Sequence, residues 1–145
     1  MKRLEKLPTF RIDAAKTIAF RYKNKTFEGV SGDTVATALY ANGIRIFSRS
    51  LKYHRPRGLY SLDGESSNCL MEADGLPNVR TETTLLRDGM IVKPQNVAGS
   101  PERDWWSFLD QLNWAMPAGF YYRAFHKPYS LWPFFQIWLR QMAGI

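Results

Sequence analysis

The aromatic residues of this 145-residue chain are concentrated near its C-terminus, where all five tryptophans and 13 of the 21 aromatic residues lie in residues 101–145. Pro117, Pro128 and Pro133 interrupt this segment, so its helical spacing is confined to short pieces that cannot build a core alone. Because exposed aromatic surface usually marks an interface, we predict that residues 96–145 form an arm that docks on another polypeptide. The alternative is that the arm folds back over the preceding residues as a second layer. The rings expected at the interface are Trp105, Trp106, Trp114, Phe120, Tyr121, Tyr122, Trp132, Phe135 and Trp138.

Residues 15–95 have the pattern of a small mixed sheet. Two β-branched and aromatic runs beginning at Thr17 are separated by polar residues 23–25, which predicts a β-hairpin. A helix of two to three turns should follow, capped by Asp33 and ended by Gly43 in the left-handed conformation. Further strands are predicted at residues 44–47, 69–73, 79–85 and 90–93, with turns at residues 74–75 and 88–89.

This order of elements predicts an α+β fold in which a β-grasp, ferredoxin-like sheet wraps around one helix. We expect three parts along the chain. They are a basic N-terminal segment in residues 1–14, the β-grasp domain in residues 15–95, and the aromatic, helical C-terminal arm in residues 96–145.

Positive charge is concentrated in residues 1–57, which hold 13 Lys and Arg against 4 Asp and Glu. Four of these 13 lie in residues 48–58, here called the basic loop, where the Arg55-Pro56 pair argues against regular structure. Three uses of the loop remain open: contact with the phosphates of a flavin or nicotinamide cofactor, contact with acidic residues of a partner, or solvation. The side chains concerned are Arg49, Lys52, His54, Arg55 and Arg57.

Several kinds of chemistry need residues that this sequence does not contain. The single cysteine, Cys69, allows no internal disulfide and no zinc cluster. His54 and His126 are not paired in sequence with a nucleophile, so we expect no catalytic residue. The N-terminus lacks the apolar stretch of a signal peptide and no apolar run reaches the length of a membrane span, which favours a cytoplasmic location without a membrane partner.

Ordered motifs run through the chain from Gly32 to Arg80, namely GDTVATALYANG, SRSLKYHRPRG and PNVR. Together they resemble the N-terminal domain of the alpha subunit of heterotetrameric sarcosine oxidase. The resemblance continues through GFYYRAFHKP and IWLRQMAGI in the arm. In that family a dinucleotide-binding GxGxxG turn comes next, and the chain stops before it. The chain is therefore expected to be either a separately encoded subunit or a fragment of a longer polypeptide.

Related modules in hydrogen cyanide synthases and amino-acid dehydrogenases resemble plant-type ferredoxins, in which four cysteine thiolates hold a [2Fe-2S] cluster. The resemblance places Ser61, Ser66, Cys69 and Glu82 at those four positions, so one thiol is left. We therefore expect neither a cluster nor another metal. Cys69 is expected to be a small buried residue at the head of a strand.

The resemblance implies a non-catalytic subunit or N-terminal module of a sarcosine-oxidase-like, flavin-dependent amine oxidoreductase complex. Its role would be assembly with, and enclosure of, an FAD/NAD-binding flavoprotein subunit in a hetero-oligomer. FAD, FMN and NAD are implied in the parent complex, and none is expected to bind this chain alone. Two alternatives are a small [2Fe-2S] electron-transfer protein and a basic nucleic-acid-binding module. The second is disfavoured because the positive charges and the aromatic rings lie in separate segments, so we expect no nucleic-acid partner.

Overall fold

The computed structural model of the chain describes residues 12–115, 118–119 and 127–143. Its strands are β1 (Asp13–Tyr22), β2 (Lys25–Ser31), β3 (Ser48–Arg49), β4 (Pro56–Arg57), β5 (Leu70–Ala73), β6 (Leu76–Arg80) and β7 (Ile91–Lys93). The α-helices within the described residues are α1 (Val35–Ala41) and α2 (Trp132–Ala143), and 3₁₀ helices span Trp105–Ala115 and Tyr129–Leu131.

The first two strands form the predicted hairpin. Along β1 the side chains of Ile18, Phe20 and Tyr22 are buried while their neighbours are exposed, which is the period of two expected for a sheet with one buried face. Phe20 lies opposite Phe27 of β2. The turn consists of two residues, of which Lys23 has a φ of 55°, and the predicted third turn residue begins β2.

The main sheet has the strand order β2-β1-β7-β5-β6. β1 pairs with β7 in parallel, whereas its pairing with β2 and the pairings of β5 with β6 and β7 are antiparallel. Helix α1 and the buried face of the sheet share one apolar core, in which Phe20, Leu39, Phe47, Met71 and Val92 are fully buried. Burial of each such side chain contributes about 2 kcal/mol. This arrangement confirms the predicted β-grasp fold.

Helix α1 is capped by Thr34, and the prediction that Asp33 is the cap is wrong. The Thr34 hydroxyl accepts a hydrogen bond from the Thr37 amide, while the Thr37 hydroxyl accepts one from the Thr34 amide. Asp33 instead turns back and accepts the Val30 amide at 2.9 Å, which closes the turn between β2 and the helix. As predicted, the helix ends before Gly43, whose φ is 84°.

Residues 44–47 do not form the predicted strand. The chain is irregular there, although Phe47 is buried in the core. The basic loop, predicted to be irregular, contains a two-stranded sheet in which Ser48 pairs with Arg57 and Arg49 pairs with Pro56. Because the pairing is only two residues long, the missing N–H of Pro56 is tolerated at this edge.

The strand predicted at residues 79–85 is misplaced, because β6 begins at Leu76 and ends at Arg80. The chain turns immediately afterwards, and the amides of Thr83 and Thr84 both donate to the Arg80 carbonyl. The turn predicted at residues 74–75 is present, and both Asp74 and Gly75 have positive φ values, as a two-residue hairpin turn requires. Strands β5 and β7 lie within a residue of their predicted bounds.

The described part of the arm is helical in pieces. The 3₁₀ helix Trp105–Ala115 is kinked at Leu112, and helix α2 includes Pro133 in its first turn, where its missing N–H does no harm. Among the described residues, no helix is both long and apolar enough to cross a bilayer.

Candidate functional site

Arg49 of the basic loop joins the β-grasp sheet to the start of the arm. Its side chain is buried, and its guanidinium donates to the carbonyl oxygens of Pro101 at 2.7 Å, His54 at 2.8 Å and Glu102 at 3.4 Å. A buried cation is expensive unless its donors are satisfied, and three carbonyl acceptors meet that need. The Arg49 charge is thus used inside the chain.

A second link lies beside the first. His54 Nδ1 is 2.6 Å from Asp104 Oδ2, and both side chains are buried. The other carboxylate oxygen of Asp104 accepts the amide of Ala98 at 2.8 Å. Asp104 immediately precedes the 3₁₀ helix Trp105–Ala115 and accepts the Trp106 amide at 3.4 Å, so this pair anchors the start of that helix.

The remaining charges of the basic loop are more exposed. Arg55 Nε lies 2.6 Å from Asp110 Oδ1 within the 3₁₀ helix, with both side chains about half exposed. Lys52 and Arg55 each place their charge 4.8 Å from the ring centroid of Tyr53, close enough for a cation–π attraction. Arg57 NH1 donates to the Asn68 side-chain carbonyl at 2.6 Å.

Residues 101–110 are therefore attached to the domain at several points. Besides the Arg49, His54 and Arg55 contacts, Lys23 in the first hairpin turn lies 3.3 Å from Glu102. We call this set of contacts the latch. Phosphate or partner contacts by the five basic-loop residues stay a prediction, and Arg49 and His54 reach such a ligand only if the latch opens.

The 3₁₀ helix Trp105–Ala115 and helix α2 display aromatic rings to solvent. Trp105 and Trp114 are 80% and 78% exposed, and Trp106 is half exposed. In helix α2, Trp138 is 46% exposed, while Trp132 and Phe135 are partly buried. The predicted interface rings Phe120, Tyr121 and Tyr122 lie outside the described residues, as does His126.

The four positions assigned to cluster ligands are occupied by groups with other contacts. Cys69 is fully buried just before β5 and its thiol donates to the Gly58 carbonyl at 3.2 Å. Ser61 donates to Asp63 at 2.7 Å, and the Ser66 hydroxyl accepts the Asn68 amide at 3.1 Å, so both hydroxyls close local turns. Glu82 is 2% exposed, and neither carboxylate oxygen has a hydrogen-bond partner among the described residues.

Burial, followed by the nearby charge of Glu82, raises the pKa of the Cys69 thiol to about 12. A burial-driven rise of this kind is typical of a structural cysteine.

Sequence reasoning missed the latch. Asp104 and Asp110, which contact His54 and Arg55, were not singled out because they lie 50 and 55 residues away along the chain. The excess of positive charge in the basic loop suggested an acidic partner. Part of the negative charge that balances it comes from the chain itself. Arg45, which lines a pocket with Arg57, was also missed.

Comparison with known proteins places the chain in a family. Residues 15–97 match the 2Fe-2S iron-sulfur cluster binding domain, and the chain belongs to that family of ferredoxin-like domains. More particularly, it is the kind of ferredoxin-like domain that occurs in sarcosine oxidase alpha subunits, which confirms the resemblance seen in its motifs.

The relatives are much longer than this chain. It is 32% identical over 139 residues to sarcosine oxidase subunit alpha of Rhizobium meliloti (strain 1021), covering 92% of this chain and 14% of that protein. Over 70 residues it is 37% identical to sarcosine oxidase subunit alpha of Corynebacterium sp. (strain P-1), covering 48% of this chain and 7% of that protein. The chain thus spans a small part of these relatives.

Among solved structures, the chain is similar to L-proline dehydrogenase from P. horikoshii. The TM-score is 0.49 and the identity 24%, over 55% of this chain and 16% of that one.

The family name implies a [2Fe-2S] cluster, but the residues present do not fit one. Four thiolates are required, and the chain contains one cysteine, whose thiol is bonded to a backbone carbonyl. Within the described residues, no group of three or more His, Cys, Asp or Glu side chains could hold a metal ion. The chain has the β-grasp fold but lacks the four cysteine ligands that a [2Fe-2S] cluster needs.

Proposed function

We propose that this chain is a non-catalytic module of a sarcosine-oxidase-like, flavin-dependent amine oxidoreductase complex. Its β-grasp domain serves as a scaffold, and its aromatic arm docks on an FAD/NAD-binding flavoprotein component and helps to enclose it. FAD, FMN and NAD belong to the other components of the complex. The similarity to sarcosine oxidase alpha subunits supports this proposal, since they continue far beyond the region that matches this chain.

The exposure of the indole rings of Trp105 and Trp114 is the observation that carries the docking role. Each ring exposes about four fifths of its surface on a 3₁₀ helix whose start is held by the buried His54–Asp104 pair. Large aromatic side chains are enriched at the centres of interfaces, where they supply much of the binding free energy. A latched segment that presents such rings is suited to a partner surface.

The experiment is affinity purification of the tagged chain from its own cells. The expected result is co-purification of a polypeptide that carries a GxGxxG turn near its N-terminus and shows flavin absorbance. A Trp105→Ala/Trp114→Ala variant should recover much less of that polypeptide. Leu76→Ala is the control, because Leu76 is 66% exposed on edge strand β6. Equal recovery by all three proteins would contradict the docking role.

A small [2Fe-2S] electron carrier is the second candidate, because the family description favours it. Iron analysis and the visible spectrum of anaerobically purified protein decide between the two functions. Stoichiometric iron with thiolate-to-iron charge-transfer bands would support the electron carrier and contradict the scaffold.

A further inference from the structure

Asn42 and Gly43 follow the last residue of helix α1 and form the one Asn-Gly pair in the sequence. Among asparagine dipeptides, Asn-Gly loses its side-chain amide most readily, because a residue without a Cβ leaves its backbone nitrogen free to attack the preceding side chain. Asn42 is exposed, and no other part of the chain lies within 4 Å of the place where a Cβ of Gly43 would be. Water can therefore reach the pair.

The reaction open to this pair is deamidation through a cyclic imide. The backbone nitrogen of Gly43 gives up its proton to water or hydroxide and forms a bond to the side-chain carbonyl carbon of Asn42. The bond from that carbon to Nδ2 breaks, and Nδ2 takes up a proton and leaves as ammonia. Water then opens the imide, which yields either aspartate or isoaspartate at this position. Water is thus the only co-reactant that the step consumes.

The folded chain holds both reacting groups in place. Asn42 Nδ2 donates to the carbonyl oxygens of Glu28 at 2.7 Å and Ala38 at 2.8 Å, which ties the side-chain amide to β2 and to the last turn of α1. The Gly43 amide donates to the Tyr40 carbonyl at 3.0 Å, so its proton is engaged and its nitrogen is held away from the attack. The reaction requires these three hydrogen bonds to open, which is a local event at the end of a helix.

The product does not suit the place of the asparagine. A carboxylate has no N–H to donate, and it would face the same two carbonyl oxygens at the negative end of the helix dipole. The isoaspartate form also adds a methylene to the backbone, which would displace the Ile44 amide from the Leu39 carbonyl, now 3.0 Å away. Because Leu39 is fully buried in the core, the change would loosen α1 where it packs on the sheet.

We propose that Asn42 is a deamidation site that the fold protects, and that it reacts when the end of α1 opens. The modification is one-way, because ammonia is lost, and it removes the link between α1 and β2 that the Asn42 side chain supplies. The site lies apart from the latch contacts, and the proposal goes beyond the docking role of the arm and does not depend on it.

Peptide mapping by mass spectrometry tests the proposal on the full chain kept at mildly alkaline pH, folded in buffer and unfolded in guanidinium chloride. In the unfolded chain Asn42 should react faster than Asn24, because the residue after Asn24 is a lysine, whose side chain hinders the attack. In the folded chain Asn42 should react at least about tenfold more slowly than in the unfolded chain, which corresponds to an opening free energy of about 1.4 kcal/mol. Gly43→Ala should slow the reaction in guanidinium chloride, where the variant need not fold.

Thermal denaturation of Asn42→Asp measures the consequence, with Asn24→Asp as the matched control, since Asn24 is exposed in the first hairpin turn. Asn42→Asp should lower the melting temperature, and Asn24→Asp should leave it close to that of the unaltered chain. The proposal is overturned if Asn42 reacts equally fast in the folded and unfolded chains, if Asn24 reacts as fast as Asn42 when unfolded, or if the two variants melt at the same temperature. None of these outcomes bears on co-purification with a flavoprotein, so the two proposals fail separately.

Discussion

His54 Nδ1 lies 2.6 Å from Asp104 Oδ2, in a buried pair that spans 50 residues of sequence. This contact joins the basic loop to the residue before the 3₁₀ helix of the arm, and Arg49 reinforces it through the carbonyls of Pro101 and Glu102. The arm is therefore not independent of the β-grasp domain where it begins.

We expect His54→Ala to lower the free energy of unfolding by about 3 kcal/mol, because it leaves the Asp104 carboxylate buried with one acceptor site unused. Urea denaturation measures the change. Arg55→Ala is the control, since its pair with Asp110 is half exposed and should cost less than about 1 kcal/mol. Equal losses in the two variants would show that burial of the His54 pair carries no special weight.

We expect Glu82→Met to raise the free energy of unfolding at neutral pH by about 1–2 kcal/mol, because a buried carboxylate without a partner is replaced by an apolar chain of similar length. Thermal denaturation measures the change. The same substitution at exposed Glu65 should shift stability by less than about 0.5 kcal/mol. Destabilisation by Glu82→Met would mean that the carboxylate is satisfied, either by the nearby Cys69 thiol or by a group outside the described residues.

Stability should fall with rising pH on the alkaline side. The Cys69 thiol of the unfolded chain loses its proton near its ordinary pKa of 9.0, whereas burial holds the folded pKa at about 12. The unfolded state then binds fewer protons than the folded state, so the free energy of unfolding decreases between about pH 9 and pH 12. Burial also raises the pKa of Tyr22 above its ordinary value of 10.0, which adds to the decrease.

Urea denaturation at a series of alkaline pH values measures this slope. Cys69→Ala should flatten the slope in that window, whatever its effect at neutral pH, and Tyr22→Phe should flatten its upper part. A slope that is the same in Cys69→Ala as in the unaltered chain would contradict the assigned cause.

Trp132→Ala and Trp138→Ala should each weaken association with the flavoprotein component. Buried interface tryptophans commonly contribute about 2 kcal/mol or more, which corresponds to roughly a thirtyfold loss of affinity. Quantitative co-purification measures the loss, with Leu76→Ala as the unaffected control. Recovery equal to that of the unaltered chain would remove helix α2 from the interface and leave the tryptophans of the 3₁₀ helix.

Local patterns in the sequence were sufficient for much of the fold. The first hairpin follows from alternation around Phe20, and the end of α1 follows from Gly43, because such features depend on neighbours within a few residues. The β3–β4 pairing and the His54–Asp104 contact could not be predicted in this way. The β3–β4 pairing is local, but strands of two residues show no readable alternation and Pro56 argues against a strand. The His54–Asp104 contact joins residues 50 positions apart through tertiary packing, which leaves no periodic pattern in the sequence.

The candidate sites likewise include one feature that local sequence predicts and another that depends on tertiary packing. Burial of Cys69 agrees with its expected place at the head of a strand. The pocket at Arg45 and Arg57 forms only because the backbone at Gly58 lies against residue 45, and the SRSLKYHRPRG motif, which ends at Gly58, does not show which segment that glycine approaches. Asp33 is of a residue type that often caps helices, but here its carboxylate accepts a hydrogen bond in the turn that precedes the helix.

In the proposed complex, the latch would give the partner a surface that exists before the two proteins meet. Fastening residues 101–110 to the domain removes chain entropy while this protein folds, so that loss no longer opposes the encounter. The two components should then associate as preformed surfaces, without further ordering of residues 101–110. Substitutions that remove the latch contacts should lower the association rate even when every tryptophan is kept.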